Sequence, residues 1–241
     1  RGLKLIQQVE YEIRDEVFVI MLNNPPVNAL GNKLRRGLLK TIGLANADDT
    51  IKAIVLYGQG RCFCGGADIK EFRKSSFRPT LPEIISAIEC SSKPVVVALH
   101  GFALGGGLEL SLGCNYRIGT PSVRVGLPEV NIGLIPGAGG TQRLPRLIGV
   151  KRALDVILDG KPISAVEALS LGILDALFDE KSLLKEKASP EIISKNLAEL
   201  KANKVSLNQS DQLVLGADSV IDLNGELISK PESRDEALVI L

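Results

Sequence analysis

The chain of 241 residues contains no tryptophan, one methionine, one histidine (His100) and only 4% aromatic residues. With a single histidine, a Ser-His-Asp arrangement would have to be built on His100, which sits beside a strand end where a lone histidine is usually structural. The charge is nearly balanced, Lys+Arg 29 against Asp+Glu 28, for a net +1. No Lys/Arg block could follow a phosphate backbone, so a dedicated nucleic-acid binder is not expected. The central charge-free stretch, Pro94 to Leu108, is too short and glycine-rich for a bilayer span, which takes about 20 apolar residues. Four cysteines (Cys62, Cys64, Cys90, Cys114) are too sparse for a disulfide scaffold and predict reduced, mostly buried thiols. The compartment expected is therefore reducing, the cytoplasm first, with the peroxisome and mitochondrial matrix left open. Cys62-x-Cys64 has no second ligand pair, so no metal is expected. The chain opens on Arg1 rather than Met, which leaves room for an upstream segment.

Charge and glycine are unevenly spread. Residues 1–178 carry 21 basic and 16 acidic side chains, net +5; residues 179–241 carry 8 and 12, net −4. Of the 24 glycines, 12 fall between Gly101 and Gly149. A glycine-laced centre followed by a charged tail predicts a boundary near 178. Apolar runs Val17–Leu22, Ala53–Tyr57 and Pro94–Leu99 read as buried strands. Helical spacing marks Leu34–Ala47, with Leu81–Glu89, Leu108–Leu112, Val150–Leu158 and Ser164–Leu171 as further helices. Ser164 and Glu167 suggest a capping box. Strands alternating with helices predict an α/β fold without internal repeat.

Three segments place glycine where a side chain would obstruct something: Cys62-Phe63-Cys64-Gly65-Gly66-Ala67-Asp68-Ile69, Ala103-Leu104-Gly105-Gly106-Gly107-Leu108-Glu109, and Leu127-Pro128-Glu129 with Pro136-Gly137-Ala138-Gly139-Gly140-Thr141. Such turns can aim backbone N–H groups at negative charge, and two of them could converge on one oxygen as an oxyanion hole. Phosphate binding is the rival, but no G-x-x-x-x-G-K-[ST] exists, and Gly137–Gln142 has Gln where a dinucleotide fingerprint needs Gly. Glu109 and Glu129 are embedded in apolar sequence. Desolvation should raise their pKa values toward the range useful for acid–base work. On spacing alone, helix capping or pairing with Arg117, Arg124 or Arg143 explains them better.

At these three segments, in this order, the sequence closely resembles the crotonase (enoyl-CoA hydratase/isomerase) superfamily from about Val9 to Phe178. It is most like the hydratase domain of multifunctional fatty-acid oxidation enzymes, as Asn24-Pro25-Pro26-Val27-Asn28-Ala29-Leu30 suggests. The resemblance implies a spiral of ββα units binding coenzyme A thioesters, commonly as trimers. It implies Glu109 and Glu129 as the acid–base pair and the amides of Ala67 and Gly106 as oxyanion-hole donors. It further implies substrate contacts from Ala29, Phe63, Gly65, Gly66, Asp68 and Gly105, with coenzyme A as part of the substrate and no separate cofactor. The reaction implied is hydration of 2-enoyl-CoA to 3-hydroxyacyl-CoA, with double-bond isomerisation as an additional activity. Possession of both glutamates favours hydration. Cys114-Asn115 departs from the family's frequent Cys-Asp near a strand start, a structural matter more than a catalytic one.

Past Phe178 the character changes. Asp179-Glu180-Lys181, Leu197–Ala202, Leu215–Val220 and Gly225–Pro231 resemble consecutive motifs of Maf-like nucleotide pyrophosphatases, in which residues matching Glu180, Lys201, Asp218 and Lys230 line a nucleoside-triphosphate site. The family's N-terminal basic loop is absent. Two domains are expected: 1–178, acyl-CoA-binding and lacking the usual covering helices, and 179–241, a partial α/β segment. Missing helices weigh against a homotrimer. A divergent crotonase tail is the competing reading of the segment. For the whole chain the alternatives are a non-catalytic acyl-CoA-binding fragment and a nucleotide pyrophosphatase. Asn224-Gly225 predicts a hairpin, and Ser233 with Glu236 a capping box.

Overall fold

The computed structural model describes residues 2–71, 78–178 and the backbone of the short strands Ile221–Leu223 and Glu226–Ile228. It divides into two compact units, Arg1–Glu180 and Lys181–Leu241. In the second unit those two strands pair antiparallel with Leu223 opposite Glu226. Asn224, Gly225, the Ser233 cap and the four nucleotide-site candidates (Glu180, Lys201, Asp218 and Lys230) lie outside the described residues.

The first unit is built on a seven-stranded sheet. β1 (Lys4–Ile6), β2 (Val9–Arg14) and β3 (Val17–Leu22) form an antiparallel meander. Its two-residue connections begin at Gln7 and Asp15, both with positive φ, as tight hairpins require. From β3 onward the sheet is parallel, through β4 (Ala53–Gly58), β5 (Val95–Leu99), β7 (Tyr116–Gly119) and β10 (Ala176–Leu177). Parallel neighbours need crossovers. Helix α1 (Asn32–Ala47) carries the chain from β3 to β4 and buries Leu34, Leu38, Ile42 and Ala45, four of the five apolar positions that gave it helical spacing; the fifth, Leu39, is exposed. Helix α2 (Leu81–Glu89) lies between β4 and β5, opened by a full capping box: Glu83 N–H to Thr80 Oγ1 at 3.4 Å and Thr80 N–H to Glu83 Oε2 at 2.6 Å. At Ser164 only half of the expected box forms, Glu167 N–H donating to Ser164 Oγ at 3.2 Å.

A second, three-stranded sheet was not legible beforehand. It joins β6 (Phe102–Leu104) parallel to β8 (Arg124–Gly126), which pairs antiparallel with β9 (Ile163–Ser164). Between β6 and β7 runs α3 (Gly106–Leu112), buried along its whole length. Such a helix is apolar all round because no face meets water. The only ionisable side chain it carries is Glu109. After β8 come a 3₁₀ turn (Pro128–Ile132), then α4 (Gly140–Ile148), α5 (Val150–Asp159) and α6 (Ala165–Leu171). Buried Arg117 and Asp175 tie β7 to the segment entering β10, with Arg117 N–H donating to Asp175 Oδ2 at 2.8 Å and the guanidinium 3.2 Å from the same oxygen. Asn115, the departure from the family pattern, accepts from Val95 N–H at 2.7 Å and so caps the entry to β5.

Candidate active site

One isolated bridge sets the geometry. Cys64 pairs in parallel with Ala103, with Cys64 N–H to Phe102 O at 3.2 Å and Leu104 N–H to Cys64 O at 3.1 Å. Moving three residues on from each partner reaches Ala67 and Gly106, so in-register pairing brings two turns together that are 39 residues apart in sequence (106 − 67). A Cβ built on Gly106 would lie 3.2 Å from Ala67 N, and one on Gly66 would lie 3.5 Å from Gly106 N. Gly66 (φ +110) and Gly105 (φ +51) occupy the left-handed half of backbone space, where glycine has little penalty. Gly106 is the first residue of α3, where an intrahelical acceptor does not exist. Among the described residues neither the Ala67 nor the Gly106 amide has an acceptor.

The same register logic delivers Glu129. Gly126 pairs with Leu104, and three residues later Glu129 places its carboxyl against Gly105, where a Cβ would lie 3.0 Å from Glu129 Oε1. Gly105 N–H closes the contact on Gly126 O at 2.9 Å. One helical turn into α3, Glu109 is 2% exposed. Its Oε1 accepts two backbone N–H groups, from Ala138 and Gly140, both at 2.8 Å. The third glycine segment therefore does converge on one oxygen, and that oxygen belongs to a carboxylate of the protein.

Neither glutamate is paired with the arginines that spacing suggested. Arg117 pairs with Asp175 and Arg143 with Glu89. Burial pushes the Glu109 carboxyl above the ordinary carboxylate range, opposed by the Gly140 and Ala138 amides and by the Arg143 cation. Burial also pushes Glu129 up, and the charge of Glu109 adds to the rise. Glu129 Oε2 is buried without a hydrogen-bond partner among the described residues. The charge of Glu109 thus works against ionisation of Glu129, and the two carboxyls sit in different surroundings: Glu109 is held by two amides, whereas Glu129 has one oxygen without a partner among the described residues.

The remaining candidates divide into groups that face the turns and groups that support them. The Ala29 carbonyl already accepts from Asn24 Nδ2 at 2.7 Å and Gly31 N–H at 2.8 Å, which leaves its N–H as the main-chain group on offer. Phe63 is fully buried; its N–H donates to His100 O at 2.9 Å and its carbonyl accepts from Asn28 Nδ2 at 3.0 Å. Phe63 thus anchors the turn and has no main-chain group left to donate. Gly65 N–H donates to Val27 O at 2.8 Å, and Gly66 O accepts from Leu30 N–H at 2.8 Å, which stitches the Val27–Leu30 loop to the first glycine turn. Asp68 accepts from Lys70 N–H at 3.0 Å and lines a cleft of about 340 Å³ with Gln8, Asn24, Gly31, Asn32, Lys33 and Glu71. Asn28 was missed as a support. It is 1% exposed with φ +52, and its Nδ2 bridges the carbonyls of Gln59, Cys62 and Phe63. Its signal was weak, an Asn after a Pro-Pro stop. His100 Nε2 lies 2.8 Å from Gly60 O, in a structural contact. Among the described residues no cluster of three metal-ligating side chains occurs, and no helix is long and apolar enough to cross a membrane.

A family model described as enoyl-CoA hydratase/isomerase matches residues 12–237. The peroxisomal bifunctional enzyme of Danio rerio is 48% identical over 170 residues, covering 70% of this chain and 24% of that enzyme. The chain thus spans about a quarter of the length of that relative. The probable enoyl-CoA hydratase of Bacillus subtilis (strain 168) is 39% identical over 206 residues, covering 78% of this chain and 80% of that protein. The crystal structure of enoyl-CoA hydratase from Bacillus anthracis has a TM-score of 0.70 at 34% identity, covering 86% of this chain and 85% of that one. The family match runs past Phe178, where the sequence resemblance ends, and takes in the segment that looks Maf-like by its motifs. For that segment the crotonase match replaces the Maf-like one as the family statement. Sequence and architecture agree: this chain belongs to the enoyl-CoA hydratase/isomerase family and has the α/β crotonase fold.

Proposed function

We propose that the chain hydrates 2-enoyl-CoA thioesters to 3-hydroxyacyl-CoA, a β-oxidation type of reaction, with double-bond isomerisation through the same site. The observation that carries the proposal is the meeting of a buried carboxyl (Glu109) and a half-buried one (Glu129), both with raised pKa, with two amides at the Gly66 and Gly105 turns that have no acceptor among the described residues.

The surroundings of the carboxyls suggest their roles. Glu109 has two N–H donors and a nearby cation favouring its ionised form; Glu129 faces the Glu109 charge with one oxygen unpartnered among the described residues. On these surroundings the base role is assigned to Glu109 and the proton bound for C2 to Glu129. Glu109 takes a proton from water as the oxygen bonds to C3. The π electrons shift toward the thioester oxygen, giving an enolate-like state whose charge the Ala67 and Gly106 amides receive. Glu129 then delivers its proton to C2. Each donor to such an oxygen is typically worth about 2.7–4 kcal/mol in the transition state. The coenzyme A moiety is held by main-chain groups of Ala29 and of Gly65–Ala67.

A division at residue 178 into an acyl-CoA domain and a C-terminal segment is part of the proposal, supported by the division of the chain into compact units Arg1–Glu180 and Lys181–Leu241. So is a reducing setting, supported by four unpaired thiols; the peroxisome stands beside the cytoplasm because relatives are named as peroxisomal enzymes. The test follows enoyl-thioester ultraviolet absorbance with crotonyl-CoA for the parent, Glu109→Gln and Glu129→Gln. Loss of absorbance by the parent alone is expected. Equal rates in all three would reject the acid–base roles, and thioester binding without turnover in the parent would make the chain a binding module.

A further inference from the structure

We propose that Glu89 and Arg143 form a positioning pair that fixes the Glu109 carboxylate by clamping the turn whose amides hold it. The inference rests on the acid–base role proposed for Glu109 but concerns residues that touch neither substrate nor reacting atoms. Glu109 Oε1 is oriented by backbone alone, through the N–H groups of Ala138 and Gly140. Where those amides point depends on the turn Pro136-Gly137-Ala138-Gly139-Gly140. Three of its five residues are glycine, and Gly139 has φ +103, so the turn carries little stiffness of its own.

Stiffness is supplied from the opposite side. Arg143 Nη1 donates to Ala138 O at 3.1 Å, and the guanidinium lies so close over Gly139 that a Cβ there would collide with it. Arg143 is in turn oriented by a two-pronged contact with the last residue of α2: Nε to Glu89 Oε1 and Nη2 to Glu89 Oε2, both at 2.6 Å. A planar fork on a carboxylate fixes direction as well as distance. The chain of contacts therefore runs from α2 through Arg143 and the glycine turn to the oxygen of Glu109. The charged groups facing Glu109 are Arg143 from α4 and Glu129 from the 3₁₀ turn, with Glu89 of α2 behind Arg143. As an ordinary salt bridge the pair would matter little, because its side chains are 21% and 41% exposed and solvent screens them. A purely structural role and a positioning role thus predict different outcomes.

The test compares the full chain with Arg143→Gln, Arg143→Lys and Glu89→Gln, reading the Ala138 and Gly140 amide resonances, crotonyl-CoA kinetics against pH, and thermal unfolding. Arg143→Gln should displace both resonances and lower kcat about 10–100-fold with KM within about twofold, as misplacement of a reacting group does. Its acidic limb should move to higher pH, because the cation favouring ionised Glu109 is gone. Arg143→Lys should keep the limb and recover part of the rate. Glu89→Gln should keep the limb and lose rate. Unmoved amide resonances in Arg143→Gln would overturn the proposal, as would a rate loss fully accounted for by unfolding with the limb in place. If the parent does not turn over crotonyl-CoA, the hydration reading fails by itself, and the amide resonances still decide the clamp.

Discussion

Glu109→Gln separates what this carboxylate does for the reaction from what it costs the fold. Its burial raises the pKa despite two accepted N–H bonds and the Arg143 cation, so the ionised form is, on balance, less favoured in the protein than in water. A carboxyl with a raised folded pKa binds more protons when folded than when unfolded, between the two values. Stability therefore falls as pH rises across that window, from the unfolded value of about 4.3 to the folded one. Above the folded value the full penalty is present; below the unfolded value it is absent. Glutamine keeps an Oε1 acceptor for the Ala138 and Gly140 amides and has no charge to desolvate. The variant's stability relative to the parent should rise from the acidic end of the range to pH 8, where it should exceed the parent. Each tenfold difference in proton affinity is worth about 1.4 kcal/mol, and each kcal/mol gained moves Tm by roughly 2–4 °C in a chain of this size. Turnover should fall by about 10²–10⁴ in the same protein, the usual contribution of a general base. Urea unfolding from pH 5 to 8, run beside crotonyl-CoA kinetics, reads both effects. A variant less stable than the parent at pH 8, or one whose advantage does not change with pH, would refute the reasoning.

Further expectations follow from packing. Gly107→Ala would put a Cβ 2.5 Å from Cys64 O and 2.9 Å from Cys64 Cβ, so the bridge that aligns the two turns must open. Circular dichroism and crotonyl-CoA turnover should show a destabilised, inactive chain, and a fully active Gly107→Ala would contradict the register argument. Asp175→Ala leaves Arg117 as an uncompensated charge inside β7, and breaking such a pair costs about 3–5 kcal/mol, measurable by urea unfolding. Burial pushes the Cys64 and Cys114 thiols up to about 12 and raises Cys62, whereas Cys90 is exposed. A chromogenic disulfide reagent at pH 8 should therefore titrate one thiol in the native chain and four after denaturation.

The parts of the fold readable in advance are those in which local pattern and burial coincide. Val17–Leu22 and Leu81–Glu89 are found with the expected bounds, because continuous apolar runs and periodic helices declare themselves without tertiary context. Helix α3 begins two residues earlier than its apolar periodicity suggested, since Gly106 and Gly107 enter the helix to let it approach Cys64. Helix α4 carries Pro145 and does not declare itself in the sequence, and the strands of the second sheet are two or three residues long, too short for any period. At the site, the glycine segments and both glutamates were visible, but not what the turns are for. The Ala138 and Gly140 amides serve Glu109, and Arg143 reaches Glu89 across 54 residues. Such partnerships are fixed by long-range packing, which spacing along one chain does not encode.

The most direct test of the proposed chemistry is a crystal structure with butanoyl-CoA, a saturated thioester that cannot be hydrated. Its thioester oxygen should lie about 2.7–3.2 Å from both Ala67 N and Gly106 N, with C2 and C3 facing the carboxyl groups of Glu129 and Glu109. A thioester oxygen bound elsewhere, with those two amides still without a partner, would contradict the account.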